Sequence, residues 1–309
     1  SYPDREYLSL RNVLSNYCDV PADYILPGNG SSELIALLIE ARAPKHTLIL
    51  GPTYSEYSRE LTFSGSTQDY YHLQETSDFR PDLDDLFHTL SDGYDFLIIC
   101  NPNNPTSSAI FRDELKELLA FCKRKNIFVM IDETYVEFSD VDKYSAVNLT
   151  EKCDNLLVIR STSKFFAAAG IRLGYGITGN KKLYDEINKH TNLWNINIFA
   201  DILGGEMFTD TDYHKNVFEF INSEKEKMIS TLEKIDCLKV YPSKSNFVLC
   251  EILDKKLTAH ELREKLIPHA LIIRDCASFN NLNEYFFRFC ILDEQSNDKL
   301  LKLIEDILK

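Results

Sequence analysis

No stretch of the 309-residue chain holds the ~20 consecutive apolar residues that span a bilayer, so nothing in it reads as a membrane segment. Nor does any stretch of it read as a signal peptide. Eight cysteines (Cys18, Cys100, Cys122, Cys153, Cys237, Cys250, Cys276 and Cys290) lie without CxxC spacing. Most sit in apolar runs, which reads as buried thiols of a cytoplasmic protein rather than a disulfide or zinc framework. The seven histidines lack metal-ligand spacing, so no metal is expected. Positive charge is scarce: 34 Lys and Arg stand against 48 Asp and Glu, a formal charge of −14. That balance repels nucleic acid and anionic lipid, although local arginines can still hold an anionic substrate. Repeats, low-complexity tracts and Gly/Ser linkers are missing. So is an initiating Met: the chain opens Ser1-Tyr2-Pro3. This opening is compatible with an upstream segment, a short arm or a fused domain, and equally with none.

The length and an apolar content of 44 % allow one large α/β domain with a smaller companion. The pattern places an N-terminal arm and helix at 1–20, packed near the smaller unit, a large domain at 21–212 and a small C-terminal domain at 213–309. Buried strands are expected at Thr47 to Leu50, Asp95 to Cys100, Ile127 to Ile131, Leu156 to Ile159 and Leu173 to Thr178, with helices between them. The interleaving indicates a mostly parallel central sheet flanked by helices. A long amphipathic run from Tyr213 to Ile235 follows. Beyond it short strands (Leu238 to Tyr241, Phe247 to Glu251, Leu271 to Arg274, Tyr285 to Cys290) alternate with helices, the pattern of an α+β unit.

The chemistry concentrates in Arg160-Ser-Thr-Ser-Lys164-Phe-Phe-Ala-Ala-Ala-Gly170-Ile-Arg172, directly after an apolar strand. Open α/β sheets bind ligands at the carboxyl ends of their strands. Ser161, Ser163 and Arg172 there offer two hydroxyls and a guanidinium, a set that a phosphate monoester satisfies. An amine beside a phosphate clamp suggests pyridoxal 5'-phosphate, with Lys164 as the Schiff-base lysine. Gly28-Asn-Gly30-Ser31-Ser32-Glu33 feeds a helix start, which is either the second half of an anion site or an ordinary cap. Tyr54 follows a strand end, where an aromatic ring can lie on a planar cofactor. Asn104 lies between two Asn-Pro steps and can donate to a ring oxygen. Asp132 ends a run of five apolar residues and needs a partner: a pyridine nitrogen, or a helix it caps. Tyr135 follows within reach of the same ring. Arg288 among aromatics, and Arg274 closing another strand, hold either anionic ligand groups or structural ion pairs.

In this order, from Tyr2 to the C-terminus, the motifs resemble the fold type I pyridoxal-phosphate enzymes of class I and II. The similarity is to histidinol-phosphate aminotransferases and threonine-phosphate decarboxylases. The resemblance implies a homodimer with shared active sites, in which Lys164 carries the proton and Asp132 pairs with the pyridine nitrogen. It further implies that Asn104 and Tyr135 bond the ring oxygen, Tyr54 stacks on the ring, and Gly30, Ser31, Ser32, Ser161, Ser163 and Arg172 hold the phosphate. Tyr2 would reach the neighbouring subunit's cofactor, Arg288 would grip the substrate carboxylate, and Arg274 would meet the distal anion. Three features depart from the pattern. Asn104-Pro-Thr-Ser107 stands where the family has Asn-Pro-Thr-Gly, and the family's N-terminal arm would precede Tyr2. Trp194-Asn-Ile-Asn197 looks like the decarboxylase branch, whereas Asp132-Glu-Thr-Tyr-Val-Glu-Phe138 looks like the aminotransferase branch.

The expected activity is therefore transamination of a small amino acid or phosphorylated amino compound, with ping-pong transfer to a 2-oxo acid. Two alternatives stay open: a phospho-amino-acid decarboxylase using the same cofactor, and a regulatory module that binds the cofactor without turnover.

Overall fold

The computed structural model describes residues 2–91 and 93–308. From the N-terminus the chain forms α1 (Leu8–Cys18), β1 (Ile25–Gly28), α2 (Ser31–Arg42), β2 (His46–Gly51), α3 (Glu56–Ser64) and β3 (Thr67–His72). It continues with α4 (Leu83–Thr89), β4 (Phe96–Cys100), α5 (Arg112–Arg124), β5 (Phe128–Asp132), α6 (Val141–Tyr144), β6 (Leu156–Ser161) and β7 (Gly174–Ile177). Helices α7 (Lys181–His190), α8 (Ile198–Met207) and α9 (Thr211–Leu232) lead to β8 (Leu238–Val240), β9 (Phe247–Ile252), α10 (Ala259–Leu266), β10 (Arg274–Asp275), β11 (Phe286–Cys290) and α11 (Glu294–Leu308).

Seven strands pair in the order β1-β7-β6-β5-β4-β2-β3, and β7 alone runs against the others. Strands β4, β5 and β6 are buried along their whole length. Such burial suits a parallel sheet covered on both faces and explains runs such as Phe96-Leu-Ile-Ile-Cys100. Successive residues serve opposite faces. Leu97, Ile99, Val129, Ile131 and Val158 join one apolar cluster with α1 and α5. Ile98, Phe128, Met130, Leu157 and Ile159 join another with α2, α3 and α7. Helix α5 buries the expected Leu115, Leu118, Leu119 and Cys122. Its first turn carries Asp113 and Glu114 and its last turn Lys123 and Arg124, which complements the helix dipole.

A second sheet, β10-β11-β9-β8, is wholly antiparallel. The long α9, capped by Asp210, joins the two sheets. Among the described residues no helix is long and apolar enough to cross a membrane, and none of their His, Cys, Asp and Glu side chains cluster in threes as a metal would require.

The structure departs from the expected pattern in four places. Helix α3 buries only Tyr57 and Leu61, a stripe too thin to read as a helix. Helix α8 is apolar nearly all round, yet Phe199 and Ile202 face outward, so the usual one-sided pattern is missing. Leu271, Ile272 and Ile273 alternate like a strand, but ladder pairing begins only at Arg274. Finally, α1 was expected near the smaller unit, whereas the elements it touches most are α8, β1 and the short turn at residues 22–24.

Candidate active site

The strand order reverses between β2 and β4, and ligand crevices in α/β sheets open at such points. Loops following β2, β4, β5 and β6 carry Tyr54, Asn104, Thr134 and Lys164, so the parallel pairing alone gathers them at one end of the sheet. A cavity of about 270 Å³ lies there.

Its floor is Asp132, the last residue of β5, with 4 % of its surface exposed. Burial pushes this carboxyl above its ordinary range, and hydrogen bonds from Thr134 and Tyr57 offset only part of that rise. The Thr134 amide and hydroxyl donate to Oδ1 at 2.9 and 2.6 Å, while the fully buried Tyr57 hydroxyl donates to Oδ2 at 2.7 Å. Donors of this kind favour the charged carboxylate, so the site can hold a cationic ring nitrogen. Neither Tyr57 nor Thr134 was singled out from sequence. Tyr57 sits one turn beyond Tyr54 on a helix the pattern did not reveal, and the only available signal was the Tyr-x-x-Tyr spacing. Tyr57→Phe removes one donor to a buried carboxylate, worth about 1.5–3 kcal/mol. We expect kcat/KM to fall about tenfold or more with the fold intact, checked by steady-state kinetics beside circular dichroism; an unchanged kcat/KM would leave Tyr57 a packing residue.

The rim opposite is built for an anion. Gly30 precedes α2 at φ 78, and a Cβ there would strike the Arg172 guanidinium. Only glycine permits both the left-handed turn and that close approach. Ser31 and Ser32 then open α2, where free backbone amides and the helix dipole favour negative charge. Ser161 and Ser163 face each other with 2.8 Å between hydroxyl oxygens. With Arg172 these four serines line one side of the cavity.

Lys164 lines the same cavity, its Nζ 5.9 Å from the centre of the Tyr135 ring. Tyr54 stands half-exposed at the mouth, its ring edge-on to Tyr57 at 5.6 Å. Asn103 anchors the neighbouring loops: its amide donates to Pro52 O and accepts from the Thr53 hydroxyl, both at 2.8 Å. Next to it Asn104 is buried with its Oδ1 unpartnered. Arg288 enters from β11, its guanidinium 4.5 Å from the Phe247 ring centre and its Nε buried without a partner. Phe247 in turn meets Tyr135 edge-on at 5.1 Å.

Two expected site residues lie outside. Arg274 pairs across the ladder with Arg288 but lines a separate cavity of about 690 Å³, where it donates to the Ser278 hydroxyl at 3.1 Å. Arg288 borders both cavities. Tyr2 is 77 % exposed, packs its ring on Trp194 at 4.6 Å and does not line the cavity of its own chain; its expected contact is with a neighbouring subunit's cofactor.

Pyridoxal phosphate fits this arrangement. The serine and Arg172 cradle has the charge and donors for a phosphate, Asp132 can hold a ring nitrogen, and the unpartnered Nε of Arg288, which lines the cavity, is a donor that a ligand's acceptor would satisfy.

A family model described as aminotransferase class I and II matches residues 1–304. The putative threonine-phosphate decarboxylase of Caldanaerobacter subterraneus subsp. tengcongensis is 36 % identical over 99 % of this chain and 83 % of its own length. The solved structure of the histidinol-phosphate aminotransferase from Clostridium acetobutylicum superposes with a TM-score of 0.93 at 33 % identity, covering 99 % of this chain and 90 % of that one. The Sinorhizobium meliloti histidinol-phosphate aminotransferase in complex with pyridoxal-5'-phosphate shares the fold, with a TM-score of 0.86 at 19 % identity over 99 % of this chain and 84 % of that one.

Proposed function

The chain belongs to the class I and II aminotransferases, a family that uses pyridoxal phosphate, and from that premise we propose that it transfers the amino group of a small amino acid or phosphorylated amino compound to a 2-oxo acid. One observation carries the proposal: a lysine amine, a buried carboxylate and a partly unpartnered arginine line a single cavity beside a phosphate cradle.

When bound, pyridoxal phosphate supplies an aldehyde that condenses with amines and a ring that accepts the electron pair left at the substrate's α-carbon. The remaining work belongs to the chain. Gly30, Ser31, Ser32, Ser161, Ser163 and Arg172 hold the phosphate. Asp132 keeps a proton on the ring nitrogen. Asn104 and Tyr135 bond the ring oxygen, and Tyr54 covers the ring face. Lys164 Nζ takes the proton from the α-carbon and delivers it again at the end of the step. Arg288 receives the substrate carboxylate in a fork.

The proposal includes a homodimer. Tyr2, Leu193, Trp194, Phe199 and Ile202 are large apolar side chains exposed on the N-terminal segment, α8 and the loop before it. A second copy seated there would place Tyr2 near its partner's phosphate cradle.

A second reading, decarboxylation of a phospho-amino acid, is favoured by the 36 % identical relative named for that activity. Incubation with histidinol phosphate or O-phosphothreonine and 2-oxoglutarate separates the two. Formation of glutamate supports transamination, carbon dioxide without glutamate supports decarboxylation, and neither product from any amino compound screened would leave a binding module.

A further inference from the structure

Ser107 closes the loop that carries Asn104. Its φ is 58°, a left-handed conformation that glycine takes without strain, and the family resemblance expects glycine there. The serine is fully buried, and its side chain is engaged on several sides. Its hydroxyl lies 2.9 Å from the Ser243 hydroxyl and within hydrogen-bond reach of the Ser245 hydroxyl. The Lys244 amide donates to both the Ser107 hydroxyl and its carbonyl oxygen at 3.0 Å. Residues 243–245 form the turn between β8 and β9 of the small sheet. The buried Lys225 of α9 donates to Ser245 O at 2.9 Å from the other side.

The Ser107 hydroxyl thus ties the loop after β4 to the turn of the small sheet, and Lys225 ties that same turn to the helix that links the sheets. The loop end of the tie is stiff, because the Ser107 amide donates to Asn103 O at 2.7 Å and the Ser108 carbonyl accepts from the Asn103 amide at 2.9 Å. The turn end leads within two residues to Phe247, the ring that lies against both Arg288 and Tyr135. Any sliding of the small sheet along the Asn104 loop would therefore move Arg288 relative to the cavity.

We propose that Ser107 is a positioning residue: its bonds to Ser243, Lys244 and Ser245 clasp the small sheet to the Asn104 loop and so fix Arg288 where it receives a carboxylate. This rests on the reading of Arg288 as the carboxylate-binding group. It differs from the view that serine is merely tolerated at a turn, because that view makes Ser107→Gly harmless or slightly favourable, the left-handed backbone being relieved.

The test uses the holoenzyme and the variants Ser107→Gly, Ser107→Ala, Ser245→Ala and Ser107→Gly/Ser245→Ala, with maleate as an unreactive dicarboxylate probe. We expect Ser107→Gly to weaken maleate binding about tenfold, the weight of about one hydrogen-bonded contact. Amide exchange at Lys244 and Ser245 should quicken by a similar factor, and the double variant should bind no worse than the worse single one, as partners in one clasp do. Cofactor content should stay at the wild-type level. Maleate affinity within twofold of wild type in Ser107→Gly, or effects of Ser107 and Ser245 that multiply, would overturn the clasp; should Ser107→Ala fail to fold, Ser245→Ala still decides. If Arg288→Ala binds maleate as wild type does, the reading of Arg288 fails instead. The exchange rates then still report whether the clasp holds the turn.

Discussion

Lys164→Ala is expected to lower turnover by about four orders of magnitude and to leave the fold in place. The position accounts for both halves of that result. Lys164 is exposed to the cavity rather than packed in a core, and it makes no ion pair among the described residues, so its side chain can be removed with little loss of stability. What disappears is the only side-chain amine that lines that cavity among the described residues, and with it the group proposed to move the α-proton. Positioned general bases contribute about 10²–10⁴-fold, and here loss of the amine that condenses with the aldehyde adds to the loss. Borohydride reduction followed by peptide mapping checks the assignment on the wild-type chain, where the pyridoxyl label should fall on Lys164. Millimolar methylamine should restore part of the variant's rate, since a free amine can stand in as the base. A variant that keeps a tenth of the wild-type turnover would show that another group moves the proton.

The reason so much of this site could be read in advance is geometric. Tyr54, Asn104, Asp132 and Lys164 each follow an apolar run that the pattern marks as a strand, and parallel strands bring their carboxyl ends to one edge of the sheet. Gly30, Ser31 and Ser32 follow β1 in the same way. The mostly parallel sheet and its separate companion of short strands were legible in the spacing of apolar runs, whereas the reversed direction of β7 was not. Groups that act through another side chain left no such trace. Tyr57 bonds Asp132 from a helix with only two buried residues, and Thr134 bonds it from two positions along the chain. Arg274 was read as a site residue because it ends an apolar stretch. The ladder instead starts at that residue, at the edge of the small sheet, and Arg274 lines the neighbouring cavity. Ser107 appeared in the sequence only as a departure from a glycine; its partners lie more than 130 positions away, and no local pattern announces them.

Arg160→Met is expected to destabilise the fold by about 3–5 kcal/mol, because it strands buried carboxylates. Arg160 and Glu133 are almost wholly buried, and the guanidinium donates through Nε and Nη2 to Glu133 Oε2 at 3.0 and 2.9 Å. Ser145 completes the network, accepting from Arg160 at 2.8 Å, and the Ala146 amide donates to the other Glu133 oxygen at 2.6 Å. Glu137 stands 3.9 Å from Nη1, its pKa pushed up to about 7 by burial and pulled down by Arg160. A carboxyl with a folded pKa above its ordinary 4.5 holds its proton longer in the folded chain, so stability falls as pH rises from about 4.5 through 7. Without the guanidinium that folded pKa rises further and the loss extends to higher pH. Urea unfolding should therefore show a gap between wild type and variant that is larger at pH 8 than at pH 5; an equal gap at both would mean that the loss is one of packing alone. Pairing Arg160→Met with Glu133→Met should recover much of the stability, since apolar side chains of similar volume often replace a buried ion pair without loss. The network also has a bearing on the site. Glu133 follows Asp132 and Arg160 precedes Ser161, so the pair fastens β5 to β6 one residue behind the floor and the phosphate cradle. Arg160→Met should for that reason weaken cofactor retention at temperatures below its unfolding midpoint, and the Met pair, which refills the volume but not the bonds, should restore the midpoint more fully than the retention.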